Sequence, residues 1–443
     1  MYEHFEPLET NVRIGTAILV SQYFPPFNII ASQRAMRMAA TLLNNFECVY
    51  VVTLPTLDLP EGLLDLDFGK ELLTDPRLKL VTVSPILTGY GFVKETNLLH
   101  RLIGGFLTRL LCGPGVDWIP SLKKALLNII KQNNVKLIIS TGQPFVPFYT
   151  VTKLAARNCI PCVIDYRDLW SQNPQSPYPG FARSIVRHTI EKYVNNLATV
   201  VTTVSEGCAK SILEVQPTAK VEVLLNLPDK SYREKFSNST ICSIGTEFDQ
   251  NKLNIVLAGS VYEECTCRLL VQALKAMPKD WRDRVIVHYY GLTSKIVVND
   301  FRTQNMLNNL IDHGIVNKSK AIQVVKKADL LLSLVFDRPL NQQNPVNGIM
   351  TTKVFDYFLS GKPIISIGPR GADLNLFAEK FGYTEFHSFE SFQVHELAEF
   401  LINALQDLAN FRKRHVCIEM PDFSESLSLI IRNTDNTTFG GAK

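Results

Sequence analysis

Apolar, β-rich runs alternate with helix-period stretches along the whole chain, which predicts parallel sheets covered by helices on both faces. In the first half the pattern predicts strands at 16–21, 48–53, 78–83, 136–141, 162–166, 200–204 and 221–225. Residues 229–252 are polar and without a clear period, which predicts an interdomain linker. A second set of strands follows at 254–258, 285–289, 330–335 and 364–367. The fold class is therefore α/β: two doubly wound, Rossmann-like parallel-sheet domains, expected to face each other across a central cleft. The expected boundaries are 1–228, the linker 229–252, 253–415, and a C-terminal segment 416–443 packing back on the first domain.

One window carries candidate chemistry. Gly348, Thr351 and Thr352 open an apolar helix, where unpaired backbone N–H groups and the positive dipole end offer a seat for phosphate. Lys353 falls in the first turn, where its ammonium can neutralise a diphosphate. Asp356 shares its helix face, and its carboxylate can accept from a vicinal diol such as ribose. Gly361 ends the helix and Pro363 leads into a buried strand. Since ligands of open α/β sheets sit at the carboxyl ends of strands, this segment should face the cleft. Alone, the window equally describes a capped helix whose Lys353 and Asp356 are solvated charges.

Composition narrows the classes. At 443 residues the chain exceeds one ordinary core, so two domains are the default. An apolar share of 46%, a charged share of 20% and a formal charge of +4 without long like-charge runs suit a buried globular enzyme and do not suggest nucleic-acid binding. Residues 1–11 are polar and acidic, unlike a secretory signal, and no run of about 18 uncharged apolar residues predicts a membrane span. The nine Cys lack metal-ligand or paired spacing, which points to a reducing cytosol. The sequons at Asn238, Asn317 and Asn436 then carry no meaning. Cys159 and Cys162 have C-x-x-C spacing, but Cys162 enters an apolar strand rather than opening a helix, so packing is the reading taken. Cys265 and Cys267 are read as packing residues too.

From about Thr16 to the end, the chain resembles the GT-B glycosyltransferases, in particular their retaining, family-4-like branch. Phe24-Pro25-Pro26, then Ser32, Gln33 and Arg34, resemble that family's first acceptor-side loop. Leu137 to Pro144 resembles its "D-x-I-x-T-S-x-P" strand exit, and Ile160 to Trp170 its "P-x-V-x-D-x-R-D-x-W" signature. Leu257 to Tyr262 resembles "G-S-L-Y", Gly314 to Val316 followed by Ala321 to Asp329 resembles "G-x-V … A-D", and Gly348 to Pro363 resembles "G-x-x-T-K-x-F-E-Y-x-x-x-G-K-P".

The resemblance implies roles. Lys353, with the Gly259-Ser260 backbone, Thr351 and Thr352, would hold a donor diphosphate; Asp356 would bind ribose and Val316 would line the base pocket. Arg34, Pro26 and Phe27 would face the acceptor or the transferred sugar, with Gln143 and Arg167 nearby. Asp165 and Asp168 would sit on the cleft floor, as catalytic groups or as a structural ion network in which Arg167 lies between two carboxylates. Several positions depart from the family. Asp356 replaces a Glu, Gly348 stands where a second Glu is usual, and Cys265 where an Arg follows the "G-S-L-Y" loop, leaving Arg268 to substitute. Ile29-Ile30 replaces a Gly-Gly pair, and near Phe148 a frequent His is absent.

The expected activity is transfer of a sugar from a UDP- or GDP-type donor to a glycan or lipid-linked acceptor, with retention, in envelope polysaccharide synthesis. Such chemistry needs stabilisation of the leaving diphosphate more than acid–base groups; no metal and no further cofactor is expected. His313, beside Gly314, is the histidine best placed to meet a ligand. Residues 97–111 combine bulky apolar side chains with Arg101 and Arg109, which suits either peripheral docking on an anionic inner leaflet or a core helix with snorkelling arginines. Location would be cytoplasmic, with that membrane contact in the first case. Two rivals stay open: a degenerate GT-B protein that binds a nucleotide sugar or a partner, and a sugar-nucleotide epimerase.

Overall fold

The computed structural model describes residues 15–55, 64–85, 98–173, 176–239, 248–261, 266–335 and 353–438, and the elements below are counted among these. Gly348, Thr351, Thr352 and Cys265 lie outside the described residues. The chain divides into two units: residues 1–226 together with 423–443, and residues 227–422.

The first unit is built on a seven-stranded sheet in the order β3-β2-β1-β4-β5-β6-β7. Its strands are β1 (Thr16–Ser21), β2 (Cys48–Thr53), β3 (Leu78–Thr82), β4 (Val135–Gly142), β5 (Cys162–Tyr166), β6 (Val200–Thr203) and β7 (Val221–Val223). Every pair is parallel. The central strands are apolar runs buried along their length, apart from the exposed Lys136 near the start of β4, the pattern a sheet covered on both faces requires. The order reverses direction between β1 and β4.

The chain's last described helix, Phe423–Thr438, packs on helix Ile30–Asn45 of this unit. Phe423, Leu427, Ile430 and Ile431 share one apolar cluster with Ala35, Met38 and Leu42. Hydroxyl and amide contacts Thr41–Ser424 (3.1 Å) and Asn45–Ser428 (3.2 Å) line its edge.

The second unit holds a six-stranded parallel sheet in the order β10-β9-β8-β11-β12-β13. Its strands are β8 (Leu253–Ala258), β9 (Val285–Tyr290), β10 (Leu310–Asp312), β11 (Leu330–Leu334), β12 (Ile364–Ile367) and β13 (Phe386–Phe389). Here the reversal falls between β8 and β11.

Three differences from the sequence reading have simple causes. The edge strands β10 and β13 were not predicted, because both are short and only half-buried, so their apolar period is weak. The polar stretch read as linker opens with a helix, Lys230–Asn238, whose first turn is capped by Asp229 (Tyr232 N–H to Oδ1, 2.7 Å). That helix belongs to the second unit. Among the described residues no helix is long and apolar enough to cross a membrane.

Candidate functional site

In the second unit the chemistry collects at the carboxyl ends of β8 and β11, where the strand order turns. β8 runs into Gly259, whose φ of +94° is costly for any side-chain-bearing residue. A Cβ there would also stand 2.7 Å from Lys353 Cδ, so the glycine admits the lysine stem across the backbone. Lys353 is the first residue of helix Lys353–Ser360, and its ammonium donates to the Ser260 carbonyl at 2.9 Å. The loop is fixed from beneath: Gly259 N–H donates to Tyr290 O (2.7 Å), Val261 N–H to Thr293 Oγ1 (2.7 Å) and Ala258 N–H to Tyr357 Oη (2.8 Å). Gly259, Ser260 and Lys353 are thus brought together by elements far apart in sequence.

One turn along the same helix, Asp356 is nearly buried. Tyr232 Oη donates to its Oδ1 (2.7 Å) and Lys318 Nζ to its Oδ2 (2.5 Å). Lys318 also lies over the Tyr232 ring at 5.2 Å. Burial first, then the Asp356 charge and hydrogen bond, hold the Tyr232 phenol protonated well above its usual range. Sequence reasoning missed both partners. The signal for Tyr232 was Asp229, a helix N-cap following Pro228; nothing local pointed to Lys318.

Beside this group, His313 stacks flat on Tyr290 (4.2 Å between ring centroids, 4° between planes). Its Nε2 meets His288 Nδ1 at 3.0 Å, and His288 Nε2 meets Asn254 Oδ1 at 3.2 Å. The Asn254 amide nitrogen donates to Asp329 and to backbone carbonyls, so its oxygen faces His288. With both rings neutral, the proton order along the chain is His288 donating from Nε2 and accepting on Nδ1 from His313 Nε2–H. Val316, two residues past Gly314, is half-buried. Arg268 is mostly exposed and lies 3.6 Å from Asp300, whose other oxygen accepts from Cys267 N–H. Its charge is therefore engaged at the start of its own helix, Arg268–Ala276.

The first unit holds a second cluster. Arg34 and Asp165 are both fully buried. Arg34 donates from Nε to Oδ2 (2.9 Å) and from Nη2 to Oδ1 (2.6 Å), and Nη2 also reaches Leu224 O (3.1 Å). Thr141 (2.7 Å) and Thr202 (2.8 Å) donate to the same carboxylate. Burial alone would raise the Asp165 pKa; the Arg34 charge and the Arg34, Thr141 and Thr202 hydrogen bonds outweigh it and hold it below the usual range.

The charges of Asp168 and Asp165 both act on Arg167, as expected of an Asp165–Arg167–Asp168 network, but the hydrogen bonds run elsewhere. The partner of Asp165 is Arg34, and Arg167 instead grips the Gly142 carbonyl through Nε and the Gln143 carbonyl through Nη2. Asp168 and Gln143 are exposed, Pro26 is half-buried, and Phe27 is fully buried against Tyr23 at 5.3 Å. Arg34 and Phe27, expected to face an acceptor, thus have their side chains in the interior of the protein.

The two sheets and their strand orders define the GT-B fold. The chain is similar to HepE of Anabaena, solved in complex with UDP, at 13% identity and a TM-score of 0.54, over 95% of this chain and 100% of that one. It is similar to sucrose-phosphate synthase of Thermosynechococcus elongatus at 12% identity and 0.56, over 95% and 99%. It is likewise similar to WaaG, a glycosyltransferase involved in lipopolysaccharide biosynthesis, at 14% and 0.52, over 96% and 100%. Neither a protein-family model nor a curated protein sequence matches the chain.

Proposed function

We propose that this protein is a glycosyltransferase that moves a sugar from a nucleoside-diphosphate sugar, of UDP or GDP type, to a glycan or lipid-linked acceptor with retention of configuration. The observation that carries the reading is the Lys353 ammonium lying across Gly259 onto Ser260 at the end of β8, with Asp356 one turn further on. A cation beside a glycine-lined strand exit suits the diphosphate, and the carboxylate beyond it suits the ribose diol. The neighbours solved with UDP or described as glycosyltransferases support the same reading.

In this reading the leaving diphosphate gathers negative charge as the sugar bond breaks, and Lys353 meets that charge without reorganising. Gly259 lets the phosphates approach the backbone. Tyr232 and Lys318 hold the Asp356 carboxylate in one orientation, and the His313–Tyr290 stack offers a flat surface for a base. The leaving phosphate takes the proton of the acceptor hydroxyl, which attacks the same face of the sugar. A role in envelope polysaccharide assembly follows if the acceptor is lipid-carried.

Thermal unfolding with UDP, GDP and ADP tests this. At a hundredfold excess over Kd, ligand linkage is worth about 2.7 kcal/mol, a rise of roughly 5–10 °C for a domain of this size. One nucleotide should stabilise the protein, and Lys353→Ala should abolish the shift. No shift with any of them would refute the donor site and leave a GT-B protein that binds a partner instead.

A further inference from the structure

We infer that helix Leu98–Leu110 and the helical stretch Gly180–Leu197 form one face that lies on an anionic lipid bilayer. Helix Leu98–Leu110 packs against the first segment of that stretch, Gly180–Val186, in the first unit. The first exposes Leu102, Ile103 and Phe106, the last at 66%. The second exposes Phe181, at 67%, and Ile185, four residues apart on one side of its first segment, and Tyr193 further along, past a π-helical turn. Five large apolar side chains on two touching helices exceed the scattered exposure of ordinary surfaces. Gly104 and Gly105 open onto empty space, since a Cβ on either would meet nothing within 4 Å.

Charge decides the occupant. Helix Leu98–Leu110 contains no Asp or Glu and carries Arg101 and Arg109. In the second stretch Glu191 is the sole acidic residue, and it is buried, whereas His188 and Lys192 are exposed beside the stripe and Arg183 and Arg187 are half-buried. Tyr149, ringed by Tyr193 at 5.4 Å and by Lys153, extends the same character. An apolar stripe flanked by cations, with no exposed carboxylate on either helix, matches acyl chains below and phosphate headgroups above. On these two helices a protein partner with an ordinary mixed-charge rim would meet no exposed acidic side chain to pair its cations. The inference deepens the reading of a lipid-linked acceptor, and its test is kept separate from the donor site.

The experiment is co-sedimentation of the full chain with phosphatidylcholine vesicles and with vesicles that also contain phosphatidylglycerol. Binding is expected only with the anionic lipid, weakening steeply with added salt. Phe106→Ser with Phe181→Ser should lower the partition coefficient at least about tenfold, and Arg109→Gln with Lys192→Gln should lower it several-fold at low salt. The UDP-induced thermal shift, read on the same preparations, reports folding and the donor site. A chain that stays in the supernatant with anionic vesicles, or double variants that bind as well as the parent, overturns the inference while an intact shift leaves the donor reading standing. A dimer in vesicle-free solution that Phe106→Ser with Phe181→Ser dissolves would overturn it too, reassigning the face to a second copy. Vesicle binding without any nucleotide shift upholds the face and refutes the donor site alone.

Discussion

Removing the Asp165 carboxylate should unfold the first unit rather than merely slow a reaction. In Asp165→Ala, the Arg34 guanidinium keeps its full burial but loses both carboxylate bonds, at 2.9 and 2.6 Å. Its Nη1 is already buried without a hydrogen-bond partner among the described residues, so Leu224 O remains its principal polar contact. Breaking a buried pair in this way costs about 3–5 kcal/mol. Thr141 and Thr202 lose their acceptor as well, about 1 kcal/mol each. Against a typical domain stability of about 5–15 kcal/mol, that is a large share.

The assay is urea unfolding followed by tryptophan fluorescence, since Trp118 and Trp170 are both buried in this unit. Replacing both partners, Arg34→Met with Asp165→Leu, should recover stability relative to Asp165→Ala, because no charge is then left buried alone. The acid dependence has a defined sign. The folded pKa of Asp165 is depressed, so its contribution is present above the unfolded carboxylate range and is lost as the pH falls through the folded value. An Asp165→Ala protein with an unchanged unfolding midpoint but no transferase activity would refute this reasoning and make the carboxylate a reacting group.

Further outcomes follow from other positions. Glu191 is buried and burial raises its pKa from 4.5 to about 7, so its contribution is full below the lower value and declines until the pH passes the upper one. The unfolding free energy should therefore fall between about pH 4.5 and 7, by an amount on the order of 3 kcal/mol, and Glu191→Gln should flatten that fall. Gly259→Ala should cost about 1–2 kcal/mol through its positive φ and, by pushing Lys353 off Ser260, weaken nucleotide binding as read by calorimetry. Tyr232→Phe should cost about 1 kcal/mol and weaken nucleotide binding less than Asp356→Asn does; equal affinity in all three proteins would remove Asp356 from the site.

Much of the architecture was legible because it rests on local patterns. Strands β1, β5 and β12 are buried on both faces, so their limits are easily read. β10 and β13 are edges, where half the side chains meet solvent and the period fades. The candidate site divides in the same way. Lys353 and Asp356 share one helix face, which spacing reveals. The pairing of Arg34 with Asp165 spans 131 residues, and that of Lys318 with Asp356 spans 38, so each depends on which strands become neighbours. Local spacing favoured Arg167 as the partner of Asp165, and tertiary proximity chose otherwise.

The return of helix Phe423–Thr438 to the first unit has a temporal consequence. That unit is written in two instalments, separated by the 196 residues from Leu227 to Asp422. At about 5–20 residues per second, a ribosome needs roughly 10–40 s to cross that interval. Throughout it, Ala35, Met38 and Leu42 await the Phe423, Leu427 and Ile431 side chains that complete their cluster. The first unit to begin synthesis is thus the last to be finished, and the nascent chain carries an open apolar groove while the whole of the second unit is being made.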